Sequence, residues 1–414
     1  MKCRHCHALL TQRFVDLGNA PPSNAYLSEQ DLQKPETYYP LRVLVCGECH
    51  LVQTEDYVAE DTVFDADYAY FSSTSRSWLA HAKSYCDQVT ERFGLAANSF
   101  VIEVASNDGY LLRNFVERGI PCLGIEPTAS TAAAAEAIGV PTLSAFFGSD
   151  LAARLIREGR QADLIVGNNV FAHVPDINDF TTGLARALKP HGVITLEFPH
   201  LMRLVEFSQF DTIYHEHFSY LSLMVVARIF AQAGLRIFDV EELPTHGGSL
   251  RIYGCHSRAS HIETPAVNAI LAEETRRGMA TGAYYEGFQA KAEAVKNGLI
   301  EFLLKAKREG RSVAGYGAAA KGNTLLNYAG IKPDLLPFIC DAATAKIGKF
   351  MPGSHIPILD PATLESRRPD YLIILPWNIA EEVQAQNAHL AAKGTRFVVA
   401  VPELTILKAT TNAS

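Results

Sequence analysis

The spacing of apolar positions changes near residue 98 of this 414-residue chain. From there, short apolar runs that predict strands alternate with amphipathic segments that predict helices. The predicted strands are 99–106, 121–127, 140–147, 162–174 and 192–200, with helices at 111–119, 128–139 and 180–190. Such alternation is typical of a parallel sheet that is covered by helices on both faces. We therefore expect a Rossmann-like α/β domain over residues 61–265.

A second alternating region follows a helical stretch at 264–310. Its first unit, 311–330, reads as strand, glycine turn and helix. Further strands of this region are predicted at 335–341, 370–378 and 395–402. We expect a second Rossmann-like domain, with a helical lead-in, over residues 266–414.

The first 60 residues lack this alternation. A turn-rich connector is predicted at 17–27 and a strand at 38–46, which leads into a pair of cysteines. The segment 65–94 begins as a polar, aromatic loop and continues as a helix, with Ser and Thr available as caps. The absence of alternation, the connector and the single strand predict a small separate module over residues 1–60, which ends before this loop and helix.

Four of the eight cysteines form two C-x-x-C pairs, Cys3 with Cys6 and Cys46 with Cys49. Two such turns supply the four thiolates that a tetrahedral zinc ion requires. Thioredoxin-like redox chemistry is the alternative interpretation. Because four thiolates leave no open coordination position, we expect a structural zinc site. The other four cysteines are expected to be buried thiols.

Composition narrows the class of protein and its partners. With 48% hydrophobic and 20% charged residues, the chain is typical of a soluble globular protein. A net charge of −8 and a pI near 6.0 disfavour nucleic acid or an anionic membrane as a partner, since both attract basic surfaces. No apolar run reaches the roughly 20 residues of a membrane span, and the N-terminus lacks a signal-peptide core. We expect a cytoplasmic monomer that acts on small molecules.

The turn after the first strand of the central domain is acidic. Its polar residues are Glu103, Ser106, Asn107 and Asp108, and its one glycine is Gly109. A pyrophosphate requires more glycines in this turn, whereas clustered acids suit a positively charged ligand. Glu126, followed by Pro127, ends the next strand, where a carboxylate can hold ribose hydroxyls; a solvated surface acid is the alternative. A ribose without a pyrophosphate, joined to an ammonium and a sulfonium, favours S-adenosylmethionine over NAD.

Other residues of this domain are candidates for contact with the cofactor. Phe146 and Phe147 follow the third strand and can pack against adenine, with core packing as the alternative. Asp150 is a candidate partner for the adenine amino group. Asn168 and Asn169 lie at the end of the fourth strand, where we expect them beside the sulfonium.

The stretch TIYHEHFSYLS places Tyr214, His215, Glu216 and His217 side by side. It is not the zinc motif His-Glu-x-x-His, because Ser219 stands where the second histidine would be. Methyl transfer to carbon requires a base, and His217 has an ordinary pKa suited to that role. Tyr214 and Glu216 can orient this histidine or stabilise an oxyanion. His173 is the competing base, and a metal site or a hydrogen-bonded polar loop are the other interpretations.

The C-terminal domain contains the more dinucleotide-like turn, GYGAAAKGNT. Gly315 and Gly317 precede Lys321, a pattern that is typical of a phosphate at a helix N-terminus. Asp341 ends the next strand, where an NAD-dependent dehydrogenase carries an acid, so a sugar-nucleotide oxidoreductase stays open as an alternative. The diphosphate of a sugar nucleotide also explains the lysine. Four residues are expected to contact the sugar or its diphosphate, each with a structural role as the alternative: His246, Arg251, Lys321 and Asn378.

The order of these motifs along the chain resembles a known family. The two zinc turns are followed by YAYFSSTS, EVASNDGYLL, GIEP, NNVFAHVPD, YHEHFSYLS, LPTHGGSLRIY and GYGAAAKGNTLLNY. This set, which covers nearly the whole chain, resembles the sugar C-methyltransferases of deoxysugar biosynthesis that act on dTDP-linked keto sugars. The resemblance implies an N-terminal zinc domain, a central S-adenosylmethionine domain and a C-terminal Rossmann-like domain, with the nucleotide-linked sugar between the last two.

The resemblance also implies roles for individual residues. The family's histidine that removes the proton next to the keto group corresponds to His217, with Glu216 just before it. Its active-site tyrosines correspond to Tyr68 and Tyr214, and its histidine near the sulfonium corresponds to His173. His217 is thus expected to act as the catalytic base.

Two further expectations follow from the resemblance. Tyr68 and Ser72, in YAYFSSTS, are expected to contact the cofactor. His215 stands where relatives often carry an acid, which bears on the shape of the substrate. We expect an S-adenosylmethionine-dependent C-methyltransferase that acts on a nucleoside-diphosphate keto-deoxysugar. The alternatives are the NAD-dependent oxidoreductase and a zinc-ribbon protein that binds a nucleotide sugar without chemistry.

Overall fold

The computed structural model describes residues 1–57 and 71–408, which fold around three sheets. The N-terminal sheet is antiparallel, and its own strands are β1 Gln12–Ala20, β2 Tyr39–Val45 and β3 Val52–Thr54. A two-residue strand of the central region, Ser219–Tyr220, pairs with β3 and completes it. The connector predicted at 17–27 begins only after Ala20, because β1 continues to pair with β2 up to the Ala20–Tyr39 pair.

The central region supplies the longest sheet. Its strands are β4 Val101–Val104, β5 Cys122–Ile125, β6 Thr142–Leu143, β7 Ala162–Asn168, β8 Leu188–Pro199, β9 Ser219–Tyr220, β10 Leu235–Leu243 and β11 Ser249–His256. All except β9 form one sheet in the order β10-β11-β8-β7-β4-β5-β6. The five strands from β8 to β6 are parallel, as predicted.

The expectation of a wholly parallel central sheet is wrong at one edge. Strand β11 runs antiparallel to both β8 and β10. The turn between β10 and β11 is too short for a crossover helix, so these two strands can only form a hairpin. The third predicted strand, 140–147, is also shorter than expected, because only Thr142–Leu143 pairs with β5.

Helices cover the faces of the central sheet. They are α1 Arg76–Phe93, α2 Arg113–Val116, α3 Ala129–Ala137, α4 Ser149–Arg157, α5 Ile177–Ala187, α6 Leu201–Glu206 and α7 Leu223–Gln232. Ser75, Asp176 and Ser222 cap α1, α5 and α7 by accepting backbone N–H groups of the first turn.

The C-terminal region begins with two helices, α8 Pro265–Arg276 and α9 Phe288–Arg308. Its strands are β12 Val313–Tyr316, β13 Ile339–Cys340, β14 Ile358–Leu359, β15 Tyr371–Ile374, β16 Arg396–Val399 and β17 Thr405–Ile406. The remaining helices are α10 Ala320–Ala329, α11 Thr363–Arg367, α12 Ala380–Gln386 and α13 Ala388–Ala391. The strand order is β14-β13-β12-β15-β16-β17, parallel except for β17. Among the described residues, no helix has the length and apolar character to cross a membrane.

The N-terminal module packs against both larger regions. Phe14 of β1 stacks on Phe288 of α9, with ring centroids 4.3 Å apart, and belongs to a core that continues into the C-terminal sheet. Three of the four paired cysteines, Cys3, Cys46 and Cys49, belong instead to the core of the central sheet, together with Phe171 and Leu221. The loops after β7 and β8 therefore meet all three regions, and most candidate site residues lie there.

Candidate active site and metal centre

The four cysteines of the two C-x-x-C turns come together in the N-terminal module. The Sγ atoms of Cys3 and Cys49 are 3.5 Å apart, those of Cys6 and Cys46 are 3.4 Å apart, and all four lie within 4.8 Å of one another. A zinc ion about 2.3 Å from each sulfur requires sulfur separations of about 3.8 Å. Gln53 donates an amide hydrogen to Cys3 Sγ at 3.3 Å, as groups that orient metal ligands do. The donor set and its spacing fit a closed tetrahedral zinc site.

A group of buried polar atoms lies beyond the carboxyl ends of β4 and β7. Among the described residues these atoms have no hydrogen-bond partner: both carboxylate oxygens of Glu103, Oγ of Ser106, Oδ1 of Asp108 and the side-chain amide of Asn168. Burial, and then the neighbouring Glu126 and Asp108, raise the pKa of Glu103 well above its ordinary value. Buried polar atoms are normally satisfied, so this group requires a ligand that brings donors and positive charge. The ammonium and sulfonium of S-adenosylmethionine fit it.

Glu126 closes the acidic turn. Its Oε2 accepts the N–H of Asn107 at 2.8 Å, and its Oε1 accepts the N–H of Thr128 at 2.9 Å, on the far side of Pro127. Gly109 has φ of 76°, which lets the turn pass into the next helix. Glu126 is 5% exposed, so the alternative of a solvated surface acid is wrong. A carboxylate oxygen accepts more than one hydrogen bond, and these contacts leave Glu126 able to accept ribose hydroxyls.

The segment before α1 covers this turn. The N–H of Ser72 donates to Oδ1 of Asn107 at 2.9 Å, and the N–H of Ser73 donates to Oδ2 of Asp108 at 3.0 Å. Ser72 itself is buried. Tyr68, expected at both the cofactor and the substrate, lies outside the described residues. The structure thus brings the second half of YAYFSSTS onto the acidic turn.

The two phenylalanines after β6 have different surroundings. Phe146 is 54% exposed, which leaves a ring face for adenine. Phe147 packs edge-on against Phe180, with ring centroids 5.4 Å apart, so the alternative of core packing describes this residue. Asp150 is exposed in the first turn of α4.

His217 lies within a cluster of aromatic rings that faces the end of β7. Its ring centroid is 4.6 Å from that of His173 and 3.9 Å from that of Tyr214. Its Nδ1 donates to the carbonyl oxygen of Thr212 at 2.8 Å, so the ring proton is on Nδ1 and Nε2 keeps its lone pair. Burial, and then the nearby His173, lower the pKa of His217 well below its ordinary value. Burial also lowers the pKa of His173 to about 4, so both imidazoles are neutral near pH 7.

The two residues before His217 face other parts of the molecule. His215 donates from Nε2 to the carbonyl oxygen of Pro40 in the N-terminal sheet, at 3.3 Å. Glu216 accepts the side-chain amide of Asn24 with both carboxylate oxygens, each at 2.8 Å. The two histidines therefore do not share a metal site. The carbonyl oxygen of Thr212 accepts from the ring of His217.

The C-terminal domain contributes a cation and an indole beside the His217 cluster, since Lys321 lies close enough to His217 to add to burial in lowering its pKa. The space between these groups and His246 is called the pocket below. Lys321 donates from Nζ to Oδ1 of Asn378 at 2.7 Å and lies 4.7 Å above the ring of Trp377. The indole N–H of Trp377 donates to Oδ2 of Asp211 at 2.7 Å. Burial raises the pKa of Asp211 to about 6, although Lys321 opposes this shift. The structure thus brings two predicted substrate contacts together with an aromatic face and a buried acid.

His246 reaches the same pocket from the turn between β10 and β11. Its Nε2 accepts the side-chain amide of Asn169 at 3.1 Å, and its ring lies edge-on to Trp78 at 5.5 Å. Asn169 and His246 have φ of 55° and 53°, conformations that non-glycine residues rarely adopt and that are common at functional sites. Burial lowers the pKa of His246 to about 4. A third neutral imidazole therefore lines the pocket.

Arg251 does not join this group. It lies inside β11, 3% exposed, where its guanidinium pairs with Glu197 at 2.5 Å and Glu241 at 3.1 Å. It also stacks over Tyr85 at 4.7 Å. Because these partners occupy the guanidinium, Arg251 has the structural role that was the alternative to phosphate binding. It is not one of the proposed phosphate contacts.

Protein groups fill the glycine turn of the C-terminal domain. A Cβ atom on Gly317 would approach Cδ of Pro376 to 2.4 Å. The hydroxyl of Tyr26 donates to the carbonyl oxygen of Ala318 at 2.6 Å, and Oδ2 of Asp341 accepts the N–H of Ala318 at 2.6 Å. This bond commits the Asp341 carboxylate to the glycine turn, which does not favour the dehydrogenase alternative.

Sequence reasoning missed four residues that line or brace the pocket. They are Asn24, Tyr26, Asp211 and Trp377. Asp211 immediately precedes TIYHEHFSYLS, and Trp377 is next to Asn378, so proximity to a motif was the available signal. Asn24 and Tyr26 belong to the N-terminal connector, and nothing in the sequence points from there to the central domain.

Comparison with known proteins identifies the family. Residues 3–64, 78–240 and 244–402 match families described as "Putative zinc binding domain", "Methyltransferase domain" and "C-methyltransferase C-terminal domain". The C-methyltransferase NovU of Streptomyces niveus is 35% identical over 408 residues, covering 99% of this chain and 97% of that protein. The chain belongs to the C-methyltransferase family.

Membership in this family confirms several predictions. The enzyme is a C-methyltransferase with a zinc module, a central methyltransferase domain and a C-terminal α/β domain. S-adenosylmethionine as cofactor and a structural zinc site are likewise confirmed. The four cysteines outside the zinc site are buried thiols, as expected.

Solved methyltransferase structures resemble part of this chain more distantly. Magnesium protoporphyrin IX methyltransferase of Synechocystis PCC 6803 is 13% identical, covers 43% of this chain and 79% of its own, and has a TM-score of 0.34. An S-adenosylmethionine-dependent methyltransferase of Mesorhizobium loti is 13% identical, covers 42% and 99%, and has a TM-score of 0.35. The family assignment rests on NovU and the three matched families.

Proposed function

We propose that this C-methyltransferase methylates the carbon next to the ketone of a nucleoside-diphosphate keto-deoxysugar, with dTDP as the nucleotide, and that His217 is the base. The observation that carries the proposal is the hydrogen bond from His217 Nδ1 to the Thr212 carbonyl oxygen. It leaves Nε2 as the acceptor in a buried, neutral ring. A C–H group is not nucleophilic until a proton is removed, and a positioned neutral imidazole is suited to this step.

In the proposed reaction, His217 takes the proton from the carbon next to the ketone, and the electron pair passes to the ketone oxygen as an enolate. S-adenosylmethionine supplies, when bound, an electrophilic methyl group on a positively charged sulfur. Glu103, Asp108 and Asn168 hold its charged portion, because they are buried with unpartnered polar atoms. His173, 4.6 Å from His217 between ring centroids, lies beside the methyl group. Tyr214 packs against His217 and limits its rotation.

Further cofactor contacts are proposed from the sequence. They are Tyr68, Ser72, Ser106, Asn107, Gly109, Glu126, Pro127, Phe146 and Asn169. Glu126 receives the ribose hydroxyls and Phe146 the adenine. Support comes from the burial of Glu126 and the exposed ring of Phe146.

The proposed sugar-nucleotide site lies between the central and C-terminal domains. Lys321 contacts the diphosphate, and Asn378 and His246 contact the sugar or its diphosphate. The support is that Lys321 lies close enough to add to burial in lowering the pKa of both His217 and His246, and its amine extends over the Trp377 ring. A phosphate oxygen is a strong acceptor for such an ammonium group.

We further propose domain boundaries at 1–60, 61–265 and 266–414. Strand β11 ends at His256 and helix α8 begins at Pro265, which supports the second boundary. We also propose a cytoplasmic monomer with no nucleic-acid or membrane partner. A net charge of −8 disfavours nucleic acid and anionic membranes as partners. The four buried thiols outside the zinc site suit a reducing compartment.

Replacement of His217 by Asn tests the base. His217→Asn keeps a donor for the Thr212 carbonyl and removes the acceptor nitrogen. We expect deuterium uptake from D2O at the carbon next to the ketone of the dTDP-linked sugar to disappear, while S-adenosylmethionine affinity by calorimetry stays unchanged. The matched control is His215→Asn, which alters a histidine that contacts the N-terminal sheet and should keep the exchange.

Other outcomes redirect the proposal. Exchange that persists in His217→Asn and disappears in His173→Asn would transfer the role to His173. Absence of exchange in the wild-type enzyme, with any candidate keto sugar, would reject the proposed reaction.

A further inference from the structure

Arg4 stands between two zinc ligands, Cys3 and Cys6, yet its side chain contacts residues outside the metal site, among them Asp56 and Pro175. The side chain is only 6% exposed. Its backbone N–H donates to Oε1 of Gln53 at 2.9 Å, and the amide nitrogen of the same glutamine donates to Cys3 Sγ at 3.3 Å. The position of Arg4 is therefore tied to the metal site on both sides.

The guanidinium of Arg4 contacts the two loops that carry the histidines. Its Nη1 donates to the carbonyl oxygen of Pro175, two residues after His173, at 3.0 Å. Its planar carbon lies 4.8 Å from the ring centroid of Phe218, the residue after His217. One side chain thus contacts both loops within two residues of each imidazole.

The same guanidinium is anchored to strand β3. Its Nη2 donates to the carbonyl oxygen of Thr54 at 3.3 Å and pairs with Asp56. Thr54 in turn donates from Oγ1 to the carbonyl oxygen of His217 at 3.0 Å. Phe218 donates its N–H to Ala172, next to His173, at 2.8 Å, so that the loops are also joined to each other.

We propose that Arg4 is a positioning residue, which uses the zinc site as a fixed support to set the distance between His217 and His173. This inference rests on the proposed function of these histidines. Five fixed donors on a planar guanidinium suit this task, because they can bind two carbonyl oxygens and a carboxylate while the plane covers an aromatic ring. The zinc module then contributes to catalytic geometry as well as to stability.

The proposal predicts a loss in kcat without a loss in binding. A misplacement of about 1 Å in a reacting group can cost on the order of a hundredfold in rate. We expect Arg4→Met to lower kcat, and the rate of sugar deuterium exchange, about tenfold or more, while KM and S-adenosylmethionine affinity change less than about twofold. Zinc content, measured by release of the metal with a thiol reagent, should stay at one ion per chain as in the wild type.

The matched control is Arg92→Met. Arg92 also pairs with a carboxylate, Asp239 at 2.6 Å, and stacks on an aromatic ring, Tyr253 at 4.3 Å, but contacts neither histidine loop. It should lose stability without a selective fall in kcat. Arg4→Lys keeps the charge but cannot bind both carbonyl oxygens and cover the ring, so its kcat should fall between Arg4→Met and the wild type.

Each result decides the question. A zinc-loaded Arg4→Met enzyme with wild-type kcat and exchange overturns the inference. If Arg4→Met loses zinc, the result for Arg4→Lys decides. Loss of both zinc and kcat in Arg4→Met and in Arg4→Lys would make Arg4 a purely structural residue and would also overturn the inference. Failure of the proposed base is distinguishable, because His217→Asn would then exchange as the wild type does, whatever the Arg4 variants show.

Discussion

Adjacent residues in TIYHEHFSYLS do different work because a turn separates their side chains. The N–H of His217 donates to the carbonyl oxygen of Tyr214 at 2.9 Å, which closes this turn. As a result His215 faces the N-terminal sheet, Glu216 faces Asn24, and His217 faces the pocket. The letters alone suggest a shared site, and the backbone conformation excludes one.

At the same scale, Glu103 carries a prediction about ligand affinity. A hydrogen bond to a charged group contributes about 1.5–3 kcal/mol, so Glu103→Gln should weaken S-adenosylmethionine binding about 10- to 100-fold. Isothermal titration calorimetry measures this change. Glu136→Gln, on the exposed side of α3, is the control and should bind as the wild type does. Equal affinity in both variants would remove Glu103 from the cofactor site.

The raised pKa of Glu103 also predicts how the stability of the ligand-free protein depends on pH. This pKa is raised in the folded state, so folding takes up a proton between the ordinary pKa and the raised one. The free energy of unfolding should therefore decrease as the pH rises above about 4.5 through this window, and Glu103→Gln should reduce the slope. Urea denaturation at several pH values measures it. Identical slopes in the variant and the wild type would contradict this explanation.

At the scale of secondary-structure elements, the ends of the strands position the site. Glu103 lies in β4, Asn168 ends β7, and both reach the same edge of the parallel sheet. In the C-terminal sheet the corresponding turn carries Gly317, which has φ of 87° and packs against Pro376. This contact sets the position of the segment that carries Trp377.

The two glycines at the ends of α10 therefore allow a matched comparison. Gly317→Ala adds a Cβ that meets Pro376, whereas Gly330→Ala at the other end meets no atom within 4 Å. Each adds a strained left-handed alanine, which costs roughly 1–2 kcal/mol, and overpacking costs roughly 1–3 kcal/mol more at Gly317 alone. We expect a larger fall in the free energy of unfolding, and a raised KM for the sugar nucleotide, only in Gly317→Ala. Equal losses in the free energy of unfolding, measured by urea denaturation, would show that Pro376 moves to accommodate the added Cβ at no cost.

At the scale of the whole molecule, the pocket depends on how three regions meet. Trp377, of the C-terminal domain, donates to Asp211 of the central region, and Asn24 of the N-terminal module donates to Glu216. These contacts hold the loop of His217 from both sides. The relative placement of the regions is therefore part of the site.

Trp377→Phe tests the contact between the central and C-terminal domains. It keeps a ring beneath Lys321 but removes the donor to Asp211, which is fully buried. Loss of a hydrogen bond to a charged group, about 1.5–3 kcal/mol, should raise KM for the sugar nucleotide about tenfold or more, with S-adenosylmethionine affinity unchanged. Tyr371→Phe is the control, since it removes an aromatic polar group from the same domain away from the pocket. A normal KM in Trp377→Phe would show that the two domains stay in place without this bond.

Local order along the chain was enough to predict much of this protein. Paired cysteine spacing predicted the zinc site, and the acidic turn from Glu103 to Asp108 predicted a cationic cofactor, because both depend on residues a few positions apart. Alternation of apolar runs predicted the parallel strands for the same reason. It did not reveal the hairpin of β10 and β11, nor that β1 continues to Ala20, because pairing partners far apart in sequence decide those elements.

Only the tertiary structure decided which candidates meet. Arg251 has the right charge for a phosphate, but burial between Glu197 and Glu241 occupies it. Asn24, Asp211 and Trp377 became site residues through contacts across 166 to 192 positions, and Arg4 through a contact across 171 positions. The sequence by itself determined the chemistry that each segment can offer, since side-chain type and short-range spacing are local properties. Which of those groups face one another was decided by how the three regions pack together, because burial and long-range contacts exist only in the folded chain.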